Sequence, residues 1–215
     1  MRFLGLGLLT IACLTPTWAS AEETEARKLA EAAIAQAGGE EKLLNLFRFR
    51  ERVLISSTPT PLPDANEKGN RTSVVQVGGD WWLGTNKRDK DKVRVLLWAW
   101  SLRILTDPKS NLEMLPETKF ADQLAVGLRV TESIKEPLDL YFDKATLRLI
   151  AIDYTDTRHL FSEWKQTAAG HHYPSHVAGY RFANRIKKTL QDSQWYQTDI
   201  LELTPLTELP ADLKK

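Results

Sequence analysis

His171, His172 and His176 fall close together, with His159 upstream and Asp153, Asp156 and Glu163 as nearby carboxylates. Imidazole and carboxylate are the groups from which zinc sites and general-base hydrolysis are built. The spacing works against both. On an extended strand His172 and His176 share a face ~13 Å apart, at ~3.3 Å per residue, too far for one metal ion, while His171 points the other way. Pro174 restricts the backbone between them further. Histidines exposed or locally packed beside a hairpin are the expected outcome. A secreted hydrolase using His171, His172 or His176 stands as a third reading, and no catalytic or metal-ligating residue is assigned. The sequence holds no Gly-x-Ser-x-Gly elbow, no phosphate-binding glycine loop and no His-Glu-x-x-His, and no cofactor is expected. Asp143, just ahead of Thr146, is expected to hold a turn by accepting backbone N–H groups.

The aromatic residues offer a different chemistry, that of a greasy cavity. Trp81, Trp82, Trp98, Trp100, Phe142, Trp164 and Trp195 are large side chains for a domain of this size. Read as one strand, Val93 to Leu105 puts Leu96, Trp98, Trp100 and Leu102 on one face and Val95, Leu97 and Ala99 on the other. Both faces then need cover, either from packed core or from a ligand. Trp81, Leu83, Leu96, Trp98, Trp100, Phe142 and Leu149 are the expected cavity wall, with self-filled packing as the alternative.

The basic residues form two groups. Lys87, Arg88, Lys90, Lys92 and Arg94 are diluted by Asp89 and Asp91, whereas Arg181, Arg185, Lys187 and Lys188 make a cleaner patch, read as a solvated loop able to meet anionic headgroups or an acidic partner. The whole chain carries 29 basic against 28 acidic residues. Such a balance argues against nonspecific nucleic-acid binding, which needs many phosphates neutralised.

The elements that must position these groups follow from periodicity. Ala26, Leu29, Ala30, Ala33, Ile34 and Ala37 recur at helical spacing, which predicts a helix from Thr24 to Ala37 stopped by Gly38-Gly39. A helical turn follows near Glu40. Alternating apolar and basic residues then mark a first strand through Ile55, and Thr58 to Asn70 has a loop composition. Strands are predicted at Thr72 to Val77, Trp81 to Gly84, Val93 to Leu105, Val126 to Ile134, Leu138 to Phe142, Leu147 to Tyr154, Phe161 to Thr167, Tyr173 to Arg181 and Trp195 to Leu203. Asn86 to Lys92 reads as a hairpin tip, Asn111 to Leu115 as a helical turn, Lys119 to Val126 as a second turn or a loop, and Pro205 to Lys215 as a tail. This succession calls for an antiparallel sheet with one or two amino-terminal helices.

The first block has the parts of a secretory leader: Arg2, an apolar run from Phe3 to Leu14, and small residues at Ala19 and Ala21. Residues 1–21 are therefore read as a signal peptide and 22–215 as a single domain, periplasmic or secreted, with no transmembrane segment in the mature chain. Cys13, the sole cysteine, leaves a second possibility open, a lipid anchor through that residue. If cutting follows Ala21, disulfides are excluded and stability rests on the core.

The order of pieces resembles bacterial periplasmic proteins related to the outer-membrane lipoprotein carriers of the LolA and LolB type. The resemblance rests on the leader, the alanine-rich helix ending Gly38-Gly39, and Trp81-Trp82-Leu83-Gly84. It continues in Gly127-Leu128-Arg129-Val130, the run Leu140 to Leu149, the strand Phe161 to Lys165, Gly170 with Tyr173-Pro174, and the closing strand before Pro205. It implies a mostly β fold with α: a strongly curved antiparallel sheet, an incomplete β-barrel, with the amino-terminal helix packed on or in its concave side. It also implies a non-enzymatic protein that binds or carries a lipid, acyl chain or other hydrophobic ligand, with a link to lipoprotein sorting. The alternative is a structural or partner-binding envelope protein with a self-filled cavity.

Overall fold

The computed structural model describes residues 18–55, 71–89, 91–120 and 122–214. Residues 1–17, including Cys13 and most of the expected leader, lie outside it, as does the stretch 56–70 read as a loop. Helix α1 runs Trp18–Gln36. It starts six residues before the expected Thr24 because Trp18 to Glu23 contains no breaker, so Thr24 sits inside the helix. Ala26, Ala30 and Ala33 are buried along one side, and this small-residue face lets α1 lie close against strands β5 (Asn111–Phe120) and β6 (Gln123–Thr131). Gly38 and Gly39 end the helix at φ +103° and +93°, with Gly39 N–H donating to Ile34 O at 3.0 Å, the left-handed cap that glycine adopts without strain. A short 3-10 turn over Glu40–Lys42 follows.

The remaining strands are β1 (Leu46–Ile55), β2 (Arg71–Gln76), β3 (Trp81–Leu83), β4 (Asn86–Arg88), β7 (Leu138–Asp143), β8 (Leu149–Tyr154), β9 (Thr157–Gln166), β10 (His172–Asn184) and β11 (Thr189–Pro205). All join one antiparallel sheet in the order β4-β3-β2-β1-β11-β10-β9-β8-β7-β6-β5. The sheet is open, and the expected strongly curved, incomplete barrel is corrected on this point. Its two end strands, β4 and β5, do not pair with each other, so no closure holds the sheet in a curl. Helices laid on one face bury the apolar side instead. The edges are protected locally: β4 is three exposed polar residues, and β5 carries Pro116 at a register shift between Leu115 and Thr118.

Two further elements differ from the sequence reading. Val93 to Leu105 is not a strand but helix α2 (Asp91–Trp100) followed by a 3-10 turn over Arg103–Thr106. Val93, Leu96, Leu97 and Trp100 stand at i, i+3, i+4 and i+7, and Asp91 sits in the first turn where the helix dipole favours an acid. A short apolar run satisfies both periods at once, and tertiary packing selected the helical one. Asn111 to Leu115 and Lys119 to Val126, read as turns, belong to the β5–β6 hairpin. The predicted turn at Asp143 holds: Thr146 donates to Asp143 Oδ1 through both N–H and Oγ1 at 2.7 Å. These bonds, the hydroxyl's first, keep the carboxyl below its usual range.

The main core fills the space between the sheet and the helices, and includes Phe47, Phe49, Trp100, Leu112, Leu128, Leu140, Phe142 and Ile152. Two smaller clusters form elsewhere: Val74 and Trp82 with Leu206, Leu209 and Leu213 of the tail, and Ala125, Tyr141 and Ala151 with Phe120 and Leu160. Trp81 and Trp82, adjacent on one strand, therefore serve different clusters. Among the described residues no helix is long and apolar enough to cross a membrane.

Candidate functional site

Helix α2 lies over the middle of the sheet and leaves a cavity of about 310 Å³ between them. Its strand-side lining follows the two-residue alternation: Phe49, Glu51 and Val53 on β1, His159 and Phe161 on β9, and Tyr196, Thr198 and Ile200 on β11. Val93, Leu96, Leu97 and Trp100 close it from α2, and Trp81 from β3. Most of this wall is apolar. Trp100 stacks edge-on against Phe47 and Phe49 with ring centroids at 5.4 and 6.3 Å, which fixes its orientation from below.

Of the seven residues expected to form a cavity wall, Trp81, Leu96 and Trp100 line it. Phe142 is completely buried in the core. Leu149 is also core and borders, with Trp100, a crevice of about 30 Å³, room for ~2 waters. Leu83 and Trp98 pack against the core without reaching the larger cavity. The helical conformation of 91–100 explains Trp98, since it separates Trp98 from the face shared by Leu96 and Trp100.

The wall also holds polar groups that the sequence reading missed. Glu51 is 1% exposed and fully engaged: Arg71 Nε donates to Oε1 at 2.6 Å, Ser73 Oγ to Oε1 at 3.1 Å, and Thr198 Oγ1 to Oε2 at 2.8 Å. An ion pair with added hydroxyl donors is the arrangement that lets a carboxylate stay buried. The signal was present in Phe47, Phe49, Glu51 and Val53, where an acid occupies the apolar phase of a strand. On the same face His159, Gly179 and Tyr196 are aligned across β9, β10 and β11. A Cβ on Gly179 would come within 2.3 Å of Tyr196 Cδ1, so the absence of a side chain lets the two rings approach to 5.5 Å between centroids. Burial, then the positive charge of Lys92, lowers the His159 pKa to about 4, against the weaker pull of Asp153 and Asp156. Burial and the negative charge of Glu51 raise that of Tyr196, with Arg71 opposing.

The histidine cluster does not converge. His171 Nδ1 meets Lys42 O at 2.7 Å, His172 Nε2 meets Gln166 Nε2 at 3.0 Å, and His176 Nδ1 meets Asp199 Oδ1 at 2.8 Å. None of the three lines the larger cavity, and among the described residues no group of three or more His, Cys, Asp or Glu could hold a metal ion.

The basic patch is also divided. Lys188 is drawn into a network in which its Nζ reaches Asp139 Oδ2 at 2.5 Å and Asp153 Oδ2 at 3.0 Å. Arg129 and Arg158 clamp the same two carboxylates with paired bonds of 2.6 to 3.0 Å. Burial opposes the charge on Lys188, but the bonds to Asp139 and Tyr141 and the charge of Asp153 raise its pKa overall. Arg181 lies over the Trp195 ring at 5.3 Å, and Arg185 reaches Glu136 at 3.4 Å. Lys188 thus fastens the β10–β11 hairpin to the sheet and is not a free surface cation.

Solved structures share this arrangement. A domain of an outer membrane lipoprotein-sorting protein from Vibrio parahaemolyticus has a TM-score of 0.54 at 12% identity, over 88% of this chain and 96% of that one. A LolA superfamily protein from Nitrosomonas europaea gives 0.50 at 10% identity, over 88% and 97%. A DUF1329 family protein from Desulfovibrio piger gives 0.52 at 8% identity, over 88% and 95%. At these identities the likeness is one of fold, shared over nearly the whole length of each of the three structures. No protein-family model and no curated protein matches it.

Proposed function

We propose that this protein is a non-enzymatic component of the bacterial envelope that binds or carries a lipid, acyl chain or similar hydrophobic ligand in the cavity beneath α2. The observation that carries the reading is the cavity itself: about 310 Å³ of space walled by Trp81, Leu96, Trp100, Phe161, Val177 and Ile200. A cavity of that size lies at the lower end of small-molecule pockets, ~300–1,000 Å³, which are typically apolar with a few placed polar groups. In this reading residues 1–21 are removed on export, 22–215 act as one domain in the periplasm, and a tether through Cys13 is the alternative. The fold shared with a lipoprotein-sorting domain supports a place in envelope lipid traffic, with a second envelope protein as donor or acceptor.

A second reading, a structural or partner-binding protein, is favoured by one observation: Leu83, Trp98, Phe142 and Leu149 are taken up by packing rather than by open wall. Two measurements separate these. The mature protein, purified without detergent, is extracted and its small molecules identified by mass spectrometry. The extracted protein is then titrated with the neutral fluorescent dye N-phenyl-1-naphthylamine. Copurified lipid or saturable binding at one site supports the carrier reading, and the absence of both refutes it.

A further inference from the structure

Resting on the carrier reading, the polar end of the cavity specifies what kind of ligand enters. Both oxygens of Glu51 are occupied by donors from Arg71, Ser73 and Thr198, so Glu51 has little left to offer a ligand. Arg71 spends its Nε on that bond, and its terminal Nη groups have no acceptor among the described residues, although its side chain is 31% exposed and lines the cavity. The Tyr196 hydroxyl likewise has no partner among the described residues. Trp81, Trp100 and Trp195 also line the cavity, but their indole nitrogens are buried away from its space, so these rings meet a ligand through their apolar surface. The hydrogen-bonding capacity a ligand can reach therefore centres on Arg71, whose guanidinium only donates, with the Tyr196 hydroxyl as a second partner.

Charge narrows the choice further. Arg71 is neutralised by Glu51, Lys92 by Asp156, and His159 is held neutral. A cationic head would meet the Arg71 guanidinium and no free carboxylate, whereas an acceptor oxygen would find the Arg71 and Tyr196 donors together. Size sets the chain: about 310 Å³ is at the small end of ligand pockets, which suits one chain of medium length.

We propose that the cavity takes a single medium-length alkyl chain ending in an acceptor oxygen, a carboxyl or ester carbonyl, with the head on the Arg71 Nη groups and the Tyr196 hydroxyl and the chain among Trp81, Leu96, Trp100 and Phe161. The geometry makes Arg71 the anchor, held in place by the buried Glu51, and makes Tyr196 the second donor, placed over Gly179.

The test displaces bound N-phenyl-1-naphthylamine from the mature protein, near neutral pH, with decanoate, methyl decanoate and decylamine. The two acceptor-headed ligands are expected to displace the dye at least about tenfold more effectively than the amine, the share of one or two good hydrogen bonds. Tyr196→Phe, which keeps the ring, and Arg71→Lys, which keeps a cation beside Glu51, should each weaken the acceptor-headed ligands about five- to tenfold more than they weaken decylamine, each measured against the dye affinity of the same variant. Decanoate ahead of its ester identifies a free acid as the preferred head, and equal displacement identifies a neutral carbonyl. Three ligands of equal strength, or a Tyr196→Phe protein indistinguishable from the parent, overturns the proposal. Dye that binds without head-group preference defeats this inference alone, while dye that never binds saturably defeats the carrier reading beneath it.

Discussion

Lowering the pH from neutral to about 4.5 is expected to destabilise this protein by an amount that His159 makes separable. In the unfolded chain its imidazole takes a proton near pH 6.5, while in the fold burial and Lys92 hold the pKa at about 4. Above about pH 6.5 the ring is neutral in both states and contributes nothing to the pH dependence. As the pH falls below that, the unfolded state gains a proton that the folded state refuses, so stability is lost down to about pH 4 and then levels off. The gap from 6.5 to about 4, at ~1.36 kcal/mol per pH unit, caps the loss at ~3 kcal/mol. About 2.5 kcal/mol of this is in place at about pH 4.5. Urea unfolding of the parent and of His159→Phe at neutral pH and at about pH 4.5 isolates the effect, because Phe keeps an aromatic ring beside Tyr196 and has no proton to gain. Asp139, Asp143 and Asp156, whose carboxyls lie below the usual range, act in both proteins and cancel in the difference. The parent should lose ~2.5 kcal/mol more than the variant. Parallel losses, or a His159 resonance titrating near 6.5 by NMR, would refute the claim that burial controls this ring.

Two further substitutions test the sheet around the cavity. Gly179→Ala places a methyl group against Tyr196, where a Cβ would stand 2.3 Å from Cδ1; the ring must swing away, with an expected cost of ~1–3 kcal/mol in denaturant unfolding and a weaker affinity for the cavity ligand. Lys188→Met removes the cation between Asp139 and Asp153; allowing for the 33% exposure of the lysine side chain, ~1–2 kcal/mol of stability should be lost. The Asp139 carboxyl is held low against burial by Arg129 and Lys188, so its stabilisation is present above its ordinary pKa and disappears as the pH falls through the lowered one. In the variant that acid loss should begin at higher pH, and an unchanged acid midpoint counts against the network.

Much of the fold could be read along the chain where one period was unambiguous. The alanine spacing of 26–37 specified a helix, Gly38-Gly39 its end, and the alternation through Phe47, Phe49 and Val53 a strand. The turn at Asp143 followed from local chemistry, a carboxylate placed three residues ahead of Thr146. The stretch 93–105 was ambiguous because its residues are nearly all apolar, so both periods fit and only the sheet beneath α2 decides between them. The openness of the sheet depends on whether strands 86–88 and 111–120 meet, which is a relation between distant segments.

The site divides along the same line. Local sequence marked Trp81, Leu96 and Trp100 only as large apolar groups that need cover, because side-chain polarity acts over a few residues; that they share one wall depends on the helical conformation of 91–100. It could not determine that Glu51, Arg71, Ser73 and Thr198 meet, since their contact spans up to 147 positions and arises from pairing β1 with both β2 and β11. Nor could it show that Gly179 leaves room for Tyr196 beside His159. Polarity and periodicity are properties of neighbours in the chain, whereas a buried charge network and a cavity belong to neighbours in space, and only strand pairing and the placement of α2 bring those together.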